Sequence, residues 1–154
     1  MPAAACPLCE SDGGELLWRG ALCRVVRVTG REGEAFPGFC RVVWHAHASE
    51  MSDLAPADAT HLMQVVLAVE RTLRELLAPD KINLASLGNQ VPHVHWHVIP
   101  RWQDDSHFPA PIWAAASRPA MQRSMPTNGQ LAETLNKMLR ASLRQPPAHR
   151  GAVA

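Results

Sequence analysis

Three histidines, His93, His95 and His97, alternate with Val94 and Trp96. In a β-strand, side chains at i, i+2 and i+4 share one face. The spacing therefore predicts a strand with three imidazoles on one side and Val94, Trp96 and Val98 on the other. Neighbouring rings would stand about 6.5 Å apart, twice the strand rise. A phosphate group fits that scale. A helix would scatter the same side chains around its axis. Three of the eight histidines fall within five residues, which weighs against an incidental polar face. Imidazole has an ordinary pKa near 6.5, so a neutral, nucleophilic ring is available at pH 7. Such a ring can attack phosphorus through one nitrogen while the other keeps its proton, splitting one displacement into two through a covalent intermediate. Using the three rings as ligands to one metal is excluded on this geometry. A straight strand spreads i to i+4 over about 13 Å, whereas Zn–N bonds are about 2.0–2.1 Å.

Cys6-Pro7-Leu8-Cys9 is a second place with chemical potential. One Cys-x-x-Cys pair is half of a zinc site, a redox pair or chance. The redox reading wants the pair to open a helix after a strand, and Asp12-Gly13-Gly14 suggests a loop instead. Cys23 and Cys40 sit among apolar strand residues and read as small core side chains.

These residues need a scaffold. The chain has 154 residues, 47% of them hydrophobic, enough for one domain with a core. Its formal net charge of +1 offers no basic field for nucleic acid, which is not expected as a partner. No apolar run approaches the ~20 residues of a membrane span. Met1 to Ala5 lacks a signal-peptide pattern, so a cytoplasmic protein with reduced thiols is expected.

Glu15 to Arg19 and Leu22 to Val28 read as strands turning at Gly20. Thr29 to Pro37 reads as a loop rich in glycine and charge, and Gly38 to His45 as the next strand. Residues 56 to 78 carry Leu62, Val66, Val69, Leu73, Leu76 and Leu77 at steps of three and four, one helical stripe. Pro56 suits its first turn, and Pro79-Asp80 stops it. Lys81 to Leu87 is a strand, Gly88 to Pro92 a connection, and His93 to Trp102 the histidine strand. Asp104 and Asp105 close the periodic region. The proline-interrupted segment Phe108 to Trp113 cannot be a central strand and covers a sheet edge, an interface or a pocket mouth. Residues 114 to 126 read as loop, and Leu131 to Leu143 as a second helix capped by Thr127 or Asn128. The proline-containing tail, residues 145–154, is expected to be disordered. The pattern is α+β, with about five strands in a mainly antiparallel sheet, one long helix and one shorter one.

His-φ-His-φ-His-φ-φ, with φ apolar, resembles the signature of the histidine triad (HIT) superfamily of nucleotide hydrolases and transferases. The run LGNQVPHVHWHVIPRW extends the resemblance past the triad, including Pro100-Arg101. The order of elements fits over residues 1 to 104, and a single HIT domain is expected over residues 1–144. The resemblance implies a five-stranded sheet with helices on one face. It also implies a homodimer joined through the long helix and a strand near the triad.

It further implies roles. His95 matches the nucleophile that forms a nucleotidyl-histidine, with the His93 carbonyl holding its other ring N–H. His97 matches a contact to phosphate and bridging oxygen, and Asn83 a phosphate-binding asparagine. Gln90 stands where other branches carry Ser or Thr near the leaving group, which leaves that specificity open. Trp102 and Trp113 have the chemistry to stack a base but read equally as core or interface. Relatives with an N-terminal Cys-x-x-Cys complete a structural zinc site with residues matching His47 and His93, and His45 competes with His47. No cofactor is expected for the chemistry. The implied activity is release of a nucleoside monophosphate from a dinucleoside polyphosphate or a phosphoramidate. The alternative is a non-catalytic, zinc-stabilised nucleotide-binding or interaction module.

Overall fold

The structure is a computed structural model and describes residues 5–144. The expected tail at residues 145–154 and the first four residues lie outside the described residues. The order of elements is α1 (Pro7–Glu10), β1 (Glu15–Arg19), β2 (Cys23–Arg27), α2 (Gly30–Ala35), β3 (Cys40–Trp44), α3 (Pro56–Leu77), β4 (Lys81–Ala85), β5 (His95–Arg101) and α4 (Asn128–Leu143). The strands form one antiparallel sheet in the order β1-β2-β3-β5-β4. This is the α+β architecture that the alternation and the single strong helical stripe predict.

Alternation sorts the two faces. Val25, Val42, Val94, Trp96 and Val98 turn toward α3 and α4, where Leu62, Val65, Val66, Val69 and Leu73 meet Leu131, Leu135 and Leu139. Burying each such side chain contributes about 1.5–3 kcal/mol, so this face fixes the register. Thr127 caps α4 in a capping box with Gln130. Arg24, Val26, Arg41, Val43, His95, His97 and Ile99 occupy the opposite face by the same alternation.

Two local expectations are corrected. The stretch read as a loop, Thr29 to Pro37, holds the short helix α2, whose Glu32 carbonyl accepts the Phe36 N–H. Phe36 and Ala35 pack against Val28, Phe39, Ile99 and Ile112, and this packing outweighs the glycines' poor helix propensity. The Cys-x-x-Cys pair does open a helical turn, α1, but no strand precedes it among the described residues. Pro7 occupies its first turn and the Cys6 carbonyl accepts from the Cys9 and Glu10 N–H groups.

Candidate active site and metal centre

β5 begins at His95, not at His93. His93 lies in a tight turn, its N–H donating to the Val91 carbonyl at 2.8 Å. Beside it, Val94 donates to the Ala48 carbonyl and accepts from the Trp44 N–H, which pins this corner across the end of β3. The expectation of three evenly spaced rings on one strand is therefore corrected. The rings of His95 and His97 sit 4.8 Å apart, edge to face, while His93 turns toward the N-terminal cysteines.

His95 Nδ1 lies 2.6 Å from the His93 carbonyl oxygen. A carbonyl only accepts, so Nδ1 carries the proton and the Nε2 lone pair is left for chemistry. The Ser86 hydroxyl donates to the His95 carbonyl at 2.8 Å and fixes its backbone. Burial lowers the pKa of His95, helped by Arg41 and His93 and opposed by the His93 carbonyl bond. Burial, with His95 and Arg41 nearby, pushes His97 down to about 3. Both rings are thus neutral at pH 7. Arg41 is the cross-strand partner of His97 and pairs with Glu32 of α2 at 2.8 Å. His97 Nδ1 is buried without a hydrogen-bond partner.

A neutral ring that must charge to be protonated destabilises the fold in acid. The unfolded chain binds the proton at pH near 6.5 and folded His97 only near 3, so stability falls as the pH drops through that window and is intact above it. Melting temperature measured between pH 7 and 4 should fall more steeply for the wild type than for His97→Gln. Parallel curves for the two proteins would show that His97 is not the group responsible.

Asn83 stands on β4, its Oδ1 accepting from Arg101 Nη1 at 2.7 Å. Arg101 also binds Asp105 through Nε (2.7 Å) and Nη2 (3.0 Å). Burial alone would raise the Asp105 carboxyl, but Arg101 and the N–H groups of His107 and Phe108 hold it down at about 2. Asp105, read from the sequence as an element terminator, is instead a buried organiser of the next segment. That segment carries Ile112 into the cluster with Phe39 and Ile99, and sets Trp113 5.1 Å from the His97 ring. The covering role expected for Phe108 to Trp113 thus falls over the histidine face. Trp113 is 45% exposed there, whereas Trp102 is buried under Arg123. Gln90 is exposed in the β4–β5 connection. Sequence reasoning passed over Arg41, Arg101 and Asp105. A charged residue at an alternating position inside an apolar strand is the signal for Arg41, and i,i+4 spacing the signal for the Arg101–Asp105 pair.

At the other end of the corner, the ligand atoms of Cys6, Cys9, His47 and His93 all lie within 4.8 Å of one another. Cys6 Sγ and Cys9 Sγ are 3.4 and 3.5 Å from His93 Nδ1, and Cys9 Sγ is 3.5 Å from His47 Nδ1. Bonds of about 2.3 Å to sulfur and 2.0–2.1 Å to nitrogen at tetrahedral angles place S and N about 3.5–3.6 Å apart, so the cluster fits zinc. His93 Nε2 donates to the Trp44 carbonyl at 2.7 Å, which leaves Nδ1 as the ligating nitrogen. His45 is engaged elsewhere, with Gly20 and Arg24. No helix among the described residues is long and apolar enough to cross a membrane.

Residues 33–104 match the family model described as HIT domain. A Mycobacterium tuberculosis protein named AP-4-A phosphorylase is 30% identical over 78 residues, covering 47% of this chain and 40% of that protein. A Schizosaccharomyces pombe bis(5'-nucleosyl)-tetraphosphatase [asymmetrical] is 30% identical over 74 residues, covering 45% and 41%. The chain thus spans about two fifths of the length of these curated relatives. The crystal structure of a histidine triad protein from Bradyrhizobium japonicum superposes with a TM-score of 0.61 at 26% identity, covering 85% of this chain and 91% of that one. Just under half of the chain thus matches the HIT domain model, with His95 and His97 on β5 inside the matched segment, and the fold is shared with a histidine triad protein.

Proposed function

We propose that this protein is a nucleotide hydrolase that transfers a nucleoside monophosphate first to His95 and then to water. The observation that carries this reading is the buried, neutral His95 ring, oriented by the 2.6 Å bond from Nδ1–H to the His93 carbonyl. His95 Nε2 attacks the α-phosphorus, and the leaving group departs with the electron pair of its P–O or P–N bond, an amine taking up a proton from solvent as it leaves. Water then bonds to phosphorus, its proton passes to solvent, and Nε2 recovers its lone pair. The Asn83 amide and Arg41 supply donors and charge around the phosphoryl group, and His97 contacts it from the neighbouring position. Gln90 flanks the leaving-group side.

Diadenosine tetraphosphate and a fluorogenic adenosine phosphoramidate, each incubated with the protein with and without inorganic phosphate, test this. AMP among the products supports hydrolysis. ADP formed from the tetraphosphate only when phosphate is added would make phosphate the acceptor. No turnover of either compound would leave the binding-module reading.

Cys6, Cys9, His47 and His93 would hold a structural zinc. When bound, zinc fastens the N-terminal segment to the sheet and takes no part in bond cleavage. His93 ligates through its ring while its carbonyl orients His95.

A homodimer also belongs to this reading. β4 is paired on one side only, by β5, and lies at the sheet edge, with Leu87 just beyond it 51% exposed. Light scattering at micromolar concentration should give about twice the 16.9 kDa of one chain. The mass of a single chain alone would rule the dimer out.

A further inference from the structure

Arg101 heads the fully buried side chains by volume, at 1% exposure, and the triad chemistry makes no direct use of it. Its guanidinium joins three parts of the molecule. Nη1 reaches Asn83 on β4, Nε and Nη2 reach Asp105, and Nη2 also donates to the Ala110 carbonyl at 2.8 Å. Asp105 in turn accepts from the backbone N–H groups of Trp102, His107 and Phe108. The same fork therefore sets the Asn83 wall and the segment that carries Trp113. Between them lies a cleft of about 490 Å³ lined by Asn83, Ala85, Ile99, Ile112 and Trp113.

We propose that Arg101 is a positioning residue that fixes the orientation of the Asn83 amide so that it donates to a phosphoryl oxygen, with Asp105 as its locked counter-charge. The proposal rests on the nucleotide reading above. Guanidinium has five N–H donors and no acceptor, so the Asn83 atom facing it is Oδ1. With the Oδ1 end held against Arg101, the free end of the asparagine amide is Nδ2 with its two N–H groups. A ligand atom meeting it must accept, and an anionic oxygen gains most from such a bond. A free asparagine could turn Oδ1 outward and accept from a hydroxyl or a base amine, and the Arg101 bond holds the amide against that turn. Lysine cannot reproduce this arrangement. It is a single point charge, whereas the planar fork of arginine serves Asp105 and Asn83 in one fixed geometry.

The full chain is titrated calorimetrically with AMP as the probe, in the wild type, Asn83→Ala, Arg101→Lys and the double variant. Each single substitution should weaken AMP binding about tenfold or more, the scale of one lost bond to a charged group. The double variant should bind no more weakly than Asn83→Ala, because Arg101 acts through Asn83. Multiplying losses would overturn the proposal. So would an Arg101→Lys protein that melts and binds AMP like the wild type. Should Arg101→Lys fail to fold, the wild type decides. The Asn83 side-chain amide resonances, identified by their loss in Asn83→Ala, should move on AMP titration, and resonances that stay still overturn the proposal. A wild type that binds no AMP at all defeats the nucleotide reading, and the proposal with it.

Discussion

Replacing His95 by Gly or Ala is expected to abolish turnover while leaving the fold and AMP binding largely intact. The loss should be on the order of 10⁴-fold or more, the scale seen when a covalent nucleophile is removed. The ring's place in the structure is chemical more than architectural. It lies on the face opposite α3 and α4, and its ring is held by the local hydrogen bond to the His93 carbonyl two residues away. His95→Asn should fail as well, since an amide nitrogen has no lone pair to offer phosphorus. Activity is measured on whichever of the two compounds the wild type turns over faster. A variant keeping more than about a thousandth of wild-type activity would sink the covalent route. Trapping a phosphoramidate adduct on His97 would move the nucleophile to that ring.

Loss of the metal cluster is the second large effect expected. Protein purified without chelator should contain one zinc per chain, and Cys6→Ser should lose both the zinc and about 10 °C or more of thermal stability. Zinc sites of this type add several kcal/mol to folding, and one kcal/mol moves the melting point of a domain this size by about 2–4 °C. Cys6 is fully buried and caps α1, which packs Leu8 against Val26 and Val43, so the metal ties a small satellite cluster to the sheet. His47→Ala should release zinc and His45→Ala should keep it, because His45 is already bonded to Gly20 and Arg24. Well under one zinc per chain, together with an unchanged melting point for Cys6→Ser, would mean that the cluster holds no metal. Zinc kept by His47→Ala and lost by His45→Ala would reverse the assignment of the histidine.

Periodicity by itself determined the sheet, the long helix and the faces of both. Alternation at Arg41-Val42-Val43 and His95-Trp96-His97-Val98 depends only on the two-residue repeat of a strand, and the α3 stripe only on the 3.6-residue repeat of a helix. Both repeats are local, and burial of the Val and Leu positions enforces them. The pairing of His95 with His97 on one face follows in the same way. Tertiary structure decided what depends on backbone groups and distant partners. His93 leaves the strand because Val94 bonds to Ala48 and Trp44, main-chain partners that side-chain identity does not encode. The choice between His45 and His47 turns on the carbonyl of Gly20, 25 residues from His45, and on Cys9, 38 residues from His47. Asp105 looks like any acidic residue ending a strand until Arg101 and three backbone N–H groups converge on it. Helix α2 forms in a glycine-rich stretch because Phe36 finds Phe39 and Ile112. Contacts of this kind join residues far apart in the chain, so only the folded chain brings the partners that fix each histidine's tautomer and direction.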